Sequence, residues 1–64
     1  MTHDEMIRMT HAMRVYGGGF VWALAECFHL ADDDNTQRLL KAFPEYVAEY
    51  TELAKRMPKD EEDK

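Results

Sequence analysis

Apolar residues recur every three or four positions through the first half of the chain. The stripe consists of Met6, Met9, Met13, Tyr16, Phe20, Ala23, Cys27 and Leu30. This spacing places side chains on one face of an α-helix. Because the phase continues through Gly17–Gly19, we predict one long helix over residues 3–31, kinked at the glycines. Each glycine costs a helix about 1 kcal/mol relative to alanine, so a true break at this point is the alternative.

A second apolar stripe predicts the other arm of the structure. Its inward positions are Leu40, Phe43, Val47, Tyr50, Ala54 and Met57, widened by Tyr46 and Leu53. Glu45, Glu49 and Glu52 mark the outer side of this arm. Pro44 cannot donate a helical hydrogen bond and disfavours helical geometry at the preceding residue, so we expect a kink at Phe43–Pro44.

Capping residues indicate where the helices begin and end. Thr2 and Glu5 have the spacing of a capping box, which predicts a helix start near His3. Asp34 is the predicted N-cap of the second arm, and Pro58 stops that arm after about Met57. Residues 1–57 are therefore expected to form one helical domain, and the charged residues 58–64 a disordered acidic tail.

The predicted fold is all-α, a helical hairpin. A chain of 64 residues with one cysteine has a small core and no intrachain disulfide, so we expect two hairpins to pair as a homodimeric four-helix bundle. Small residues four apart, from Gly19 to Ala31, would let helices approach closely. The predicted packing residues of the core or the dimer are Phe20, Ala23, Leu24, Cys27, Phe28, Leu40, Phe43, Val47 and Tyr50.

Charge and hydropathy bear on location and partners. The net charge of −5 does not favour contacts with phosphates, so direct nucleic-acid binding is not expected. The longest strongly apolar run, residues 20–25, is too short for a bilayer, and we expect no signal peptide. Cys27 is interpreted as a small buried hydrophobe in a reducing cytoplasm.

The sequence contains no convincing catalytic or metal-binding motif. Glu26 and His29 share a helix face, but a di-iron bundle needs this spacing twice. Cys27 and His29 lie about 200° apart around a helix and cannot pair. We therefore expect no enzyme activity, no metal and no cofactor.

Trp22 is the anomaly of the first arm, because on one continuous helix it projects from the face opposite the apolar stripe. Exposed tryptophan is enriched at interaction hot spots. The predicted partner-binding face consists of Trp22, Glu26, His29, His11, Arg8 and Gly18. The alternative is that Trp22 folds over its own hairpin or packs within the homodimer.

The general pattern of residues 16–50 resembles small, mostly uncharacterised proteins encoded by bacteriophages and prophages of Gram-negative bacteria. The segments that carry the resemblance are residues 16–21, 23–26, 31–32, Asn35, 38–39, 42–46 and Tyr50. The resemblance implies a non-enzymatic, anti-CRISPR-like protein in the bacterial cytoplasm that binds and inhibits or redirects a host or defence protein. The alternatives are a structural dimerisation module of a larger assembly and a nucleotide sponge at a dimer seam.

Overall fold

The computed structural model describes residues 1–57, which form helices and their connections. The helices are α1 (His3–Tyr16), α2 (Gly19–Leu30), α3 (Asp33–Ala42) and α4 (Pro44–Arg56). The all-α class is confirmed. The predicted disordered tail, residues 58–64, lies outside the described residues.

The capping box at the start of α1 forms as predicted. The Thr2 hydroxyl accepts from the Glu5 amide at 3.1 Å, and Glu5 Oε1 accepts from the Thr2 amide at 2.8 Å. Two of the amides that the first turn leaves unpaired are satisfied in this way. The predicted helix start at His3 is confirmed.

The glycine segment separates α1 from α2, so the predicted continuous, kinked helix is wrong and the alternative of a true break is correct. Gly17 and Gly18 both adopt extended backbone conformations, with ψ values of 159° and −168°. A Cβ atom on Gly17 would overlap Val21 and lie 2.6 Å from the Met13 carbonyl oxygen. The bend therefore needs glycine at position 17, because the chain turns back there and packs α2 against α1.

The core is built around α1, which packs against both α2 and α4. Met9 and Met13 are fully buried, and the half-buried Met6 packs against them, so this part of the apolar stripe contributes to the core. The helix α3 contributes no buried residue. The buried apolar residues are Met9, Ala12, Met13, Val21, Leu24, Ala25, Phe28, Tyr50 and Ala54.

The bend changes which face of α2 is buried. The buried residues are Val21, Leu24, Ala25 and Phe28, so Leu24 and Phe28 are confirmed as core. The predicted inward stripe continues as Phe20, Ala23, Cys27 and Leu30, and all of these are exposed. Their assignment to the core of the chain is wrong, because that assignment rested on one helix passing straight through the glycines.

The second arm follows the prediction more closely. Phe43 separates α3 from α4, and Pro44 is the first residue of α4, where its missing amide is tolerated. Tyr50 is buried, while Leu40, Phe43 and Val47 are half-buried and pack against the core.

One cap in the second arm is corrected. The side chain of Asp32, rather than that of Asp34, caps α3 by accepting from the Asn35 amide at 2.9 Å. The helix therefore begins two residues earlier than the predicted N-cap at Asp34 implies.

Candidate interaction surfaces of the second helix

The outward half of α2 carries large apolar side chains that remain at least half exposed. Phe20 is 58% exposed, Trp22 is 50% exposed and Leu30 is 79% exposed. Single exposed apolar residues are common on proteins, but these three lie on one helix of 12 residues. They divide into two surfaces that flank α2 on opposite sides.

The first surface, here called the Trp22 ridge, consists of Trp22, Glu26 and His29. These residues are spaced by four and three positions, so their side chains follow one line along the helix. Trp22 and His29 are exposed, and Glu26 is half-buried. Trp22 is half exposed, so the chain itself covers only part of this side chain.

Glu26 forms an ion pair with a residue of α1. Arg14 Nη2 donates to Glu26 Oε2 at 2.7 Å, and each side chain is about one-third exposed. The predicted role of Glu26 was to orient a partner, whereas in the structure it ties α2 to α1 and fixes the base of the ridge. A charged pair with this geometry is stronger than a neutral hydrogen bond.

The remaining residues of the predicted face do not share a helix with Trp22. Arg8 and His11 lie on α1, Arg8 half-buried and His11 exposed. Gly18 lies in the bend and has open space where a side chain would begin. The predicted face is therefore divided between α1, the bend and α2, because the helix is broken at the glycines.

The second surface faces α3 and α4 and begins at an aromatic cluster. The ring centroid of Phe20 lies 6.0 Å from that of Phe43 and 5.8 Å from that of Tyr46. Ring pairs at this separation and tilt attract beyond simple burial. The cluster anchors the start of α2 to the start of α4, although Phe20 stays more than half exposed.

Beyond the cluster, a shallow groove of about 450 Å³ separates α2 from α3. We call this the α2–α3 groove; it is lined by Cys27, Leu30, Ala31, Asn35, Arg38, Leu39 and Ala42. Sequence reasoning missed it, since it depends on the bend. The signal was present in the small residues Ala23, Cys27 and Ala31, which leave room beside the helix.

Residues 1–57 contain no cluster of three or more His, Cys, Asp or Glu side chains placed to hold a metal ion. The thiol of Cys27 is exposed, so its interpretation as a buried hydrophobe is wrong.

Two side chains outside these surfaces have perturbed ionisation. The hydrogen bond from the Thr2 backbone lowers the pKa of Glu5. Burial, followed by the nearby charge of Glu49, raises the pKa of Tyr50. Both shifts have structural causes, a helix cap and a core position.

Comparisons with known proteins add no assignment. None of the helices in residues 1–57 combines the length and apolar character needed to cross a membrane. No protein-family model, curated protein or solved structure matches this chain.

Proposed function

We propose that this chain is a small, non-enzymatic, phage-type protein that binds a bacterial host or defence protein and inhibits or redirects it. The observation that carries the proposal is the half-exposed indole of Trp22 on a helix otherwise anchored in the core. Tryptophan combines a large apolar area with one hydrogen-bond donor and dominates many protein interfaces. The resemblance of residues 16–50 to phage proteins supplies the bacterial cytoplasm as the setting.

The Trp22 ridge suits recognition because the helix that carries it is packed into the core. The buried residues of α2 and the ion pair between Arg14 and Glu26 hold this helix against α1, which limits the freedom that is lost when a partner binds. Trp22 is the anchor that a partner would desolvate, and His29 is an exposed polar residue two turns further along the ridge. A partner of complementary shape needs an apolar pocket for the indole and an acceptor for its N–H.

Affinity purification from bacterial lysate with matched variants tests the proposal. Trp22→Ala removes an apolar side chain that is 50% exposed, and the control Ile7→Ala removes one that is 51% exposed on α1. We expect wild type and Ile7→Ala to retain one stoichiometric partner. Trp22→Ala should weaken the binding of that partner about 30-fold, as for a hot-spot residue, while the circular dichroism spectrum stays unchanged.

Gly18→Leu provides a second test. Nothing lies within 4 Å of a Cβ at Gly18, so the fold should accept the added side chain. If the partner approaches the backbone beside the ridge, leucine at this position should block it. Retention of the partner by both Trp22→Ala and Gly18→Leu would exclude the ridge as the binding face.

We also propose that the free protein is a homodimer. The alternative function as a structural dimerisation module predicts that Trp22→Ala loses the dimer rather than a foreign partner. The nucleotide-sponge alternative predicts a thermal shift with nucleotides, for which the apolar lining of the groove gives no specific support.

A further inference from the structure

The α2–α3 groove is an apolar surface that residues 1–57 leave uncovered. Its lining includes the small side chains of Cys27, Ala31 and Ala42. Leu30 also lines it and is the most exposed large apolar residue of the described chain. A protruding apolar side chain and an apolar groove therefore lie side by side on the same surface.

The small core of one chain favours association with a second copy of the same chain. Met9 and Met13 are the largest fully buried side chains, and α3 buries no residue completely. Chains of this length rarely reach ordinary stability from one such core. A second copy is present wherever the chain is made, so it can supply the missing apolar contact.

The charges of α3 favour a second copy in one particular orientation. Acidic residues occupy the N-terminal end of this helix, with Asp33 and Asp34 in its first turn. Arg38 and Lys41 lie in its C-terminal half, and Arg38 Nε also lies 3.3 Å from Asp34 Oδ2 within the same helix. A helix with the reverse order of charges is the electrostatic complement of α3, and α3 itself, laid antiparallel, has that order.

A stable two-fold contact needs a larger surface than the groove alone. A standard interface covers about 800 Å² on each partner, which is about 18% of the 4555 Å² accessible surface of this chain. The sides of α2 and α3 that face the groove would form this contact, and they do not include the Trp22 ridge. Arg38 is the one charged side chain among the seven residues that line the groove, and interfaces are depleted in charge at their centres.

We propose that the α2–α3 groove is the two-fold contact between two copies of this chain. Leu30 of each copy inserts into the groove of the other, and the two α3 helices lie antiparallel with acidic ends beside basic ends. This inference specifies the homodimer of the proposed function, but the contact is separate from the Trp22 ridge. Both ridges therefore stay free to bind a partner in the dimer.

Sedimentation velocity in reducing buffer, from about 1 μM to about 1 mM protein, tests the contact. Leu30→Glu buries a charge in the groove and should raise the dimer dissociation constant at least about a hundredfold. The control Ile7→Glu places the same charge on an exposed apolar site of α1 and should leave the dimer intact. Circular dichroism must show equal helicity in all three proteins.

A charge exchange tests the antiparallel orientation. Asp34→Lys replaces one of the two acidic residues in the first turn of α3 with a basic one, and Lys41→Asp places acidic residues at both ends of the helix. Each variant alone should dimerise more weakly than wild type because like charges then face each other. An equimolar mixture should form a heterodimer about as stable as the wild-type dimer, since the charges on the two α3 helices become complementary. A mixture that stays monomeric would exclude this orientation.

Other outcomes overturn the proposal and separate it from the proposed function. A wild-type protein that is monomeric at every concentration has no such contact. A dimer that survives Leu30→Glu but is lost in Trp22→Glu would place the contact on the ridge. If Leu30→Glu is monomeric and still captures the foreign partner, the groove assignment stands independently of partner binding.

Discussion

Gly17 is the residue on which the bend between α1 and α2 depends. A Cβ at this position would overlap Val21 and crowd the Met13 carbonyl. We expect Gly17→Ala to lower the free energy of unfolding by about 1–3 kcal/mol, the range for an overpacked site, in urea titrations. Gly19→Ala is the matched control, since its Cβ meets open space in the first turn of α2 and should not destabilise the protein. Equal stability of both variants would show that the bend tolerates a side chain.

Thr51 places a hydroxyl in the interior without a hydrogen-bond partner among the described residues. A buried polar group of this kind costs stability that an apolar group of the same shape does not. We expect Thr51→Val to raise the free energy of unfolding by about 1 kcal/mol. Thr51→Ser keeps the hydroxyl and should show no gain. A loss of stability in Thr51→Val would mean that the hydroxyl is satisfied after all.

At the scale of elements, the junction of α1 and α2 is strengthened by the pair Arg14–Glu26. Each side chain is about one-third exposed, so water screens the attraction and the pair should contribute only about 1 kcal/mol. A double-mutant cycle with Arg14→Met and Glu26→Gln measures this coupling. The pair Glu52–Lys55, in which both side chains are about 60% exposed, should give less than about 0.5 kcal/mol. Similar couplings in the two cycles would contradict a special role for the junction.

The start of α1 should respond to acid through Glu5. Its pKa is lowered in the folded state by the Thr2 backbone amide, so the ionised carboxylate stabilises the fold. This contribution is complete above the unfolded pKa of about 4.3 and is lost as the pH falls through the lower folded pKa. Glu5→Gln, which cannot ionise, should be less stable at neutral pH and approach wild type below pH about 4. A constant difference at every pH would exclude this linkage.

Local signals predicted the element boundaries well, because caps and prolines act within a few residues. Thr2, Glu5 and Pro44 each satisfy or remove a backbone group, so they fix an end of a helix with little help from tertiary packing. The cost of glycine in a helix marked Gly17–Gly19 as the weak point of the first arm. This cost alone could not determine whether the helix bends or breaks there.

The buried face of α2 could not be predicted because the helix is apolar on more than one side. Phe20, Ala23 and Cys27 have helical spacing, and so do Val21, Leu24 and Phe28. The direction of the chain after Gly17 determines that Val21, Leu24 and Phe28 are the residues that enter the core. The Trp22 ridge retains part of the predicted face, whereas the α2–α3 groove depends wholly on this selection.

For the whole molecule, the open question is whether one chain or two constitutes the stable unit. Each chain has nine buried apolar residues among those described, and seven of them come from α1 and α2. Burying the exposed apolar surface of α2 and α3 against a second chain would stabilise the fold, because each Å² of apolar surface removed from water contributes about 25 cal/mol to the free energy. Stability should therefore depend on the concentration of the protein itself.

If unfolding separates two chains, each tenfold dilution lowers the apparent stability of the dimer by about 1.4 kcal/mol. For a unit of this size, the melting temperature of wild type should fall by about 5 °C per tenfold dilution. Leu30→Glu should melt at a lower temperature that does not change with concentration, because its unfolding involves one chain. A melting temperature of wild type that is equally independent of concentration would show that four helices suffice, and the groove would then need another occupant.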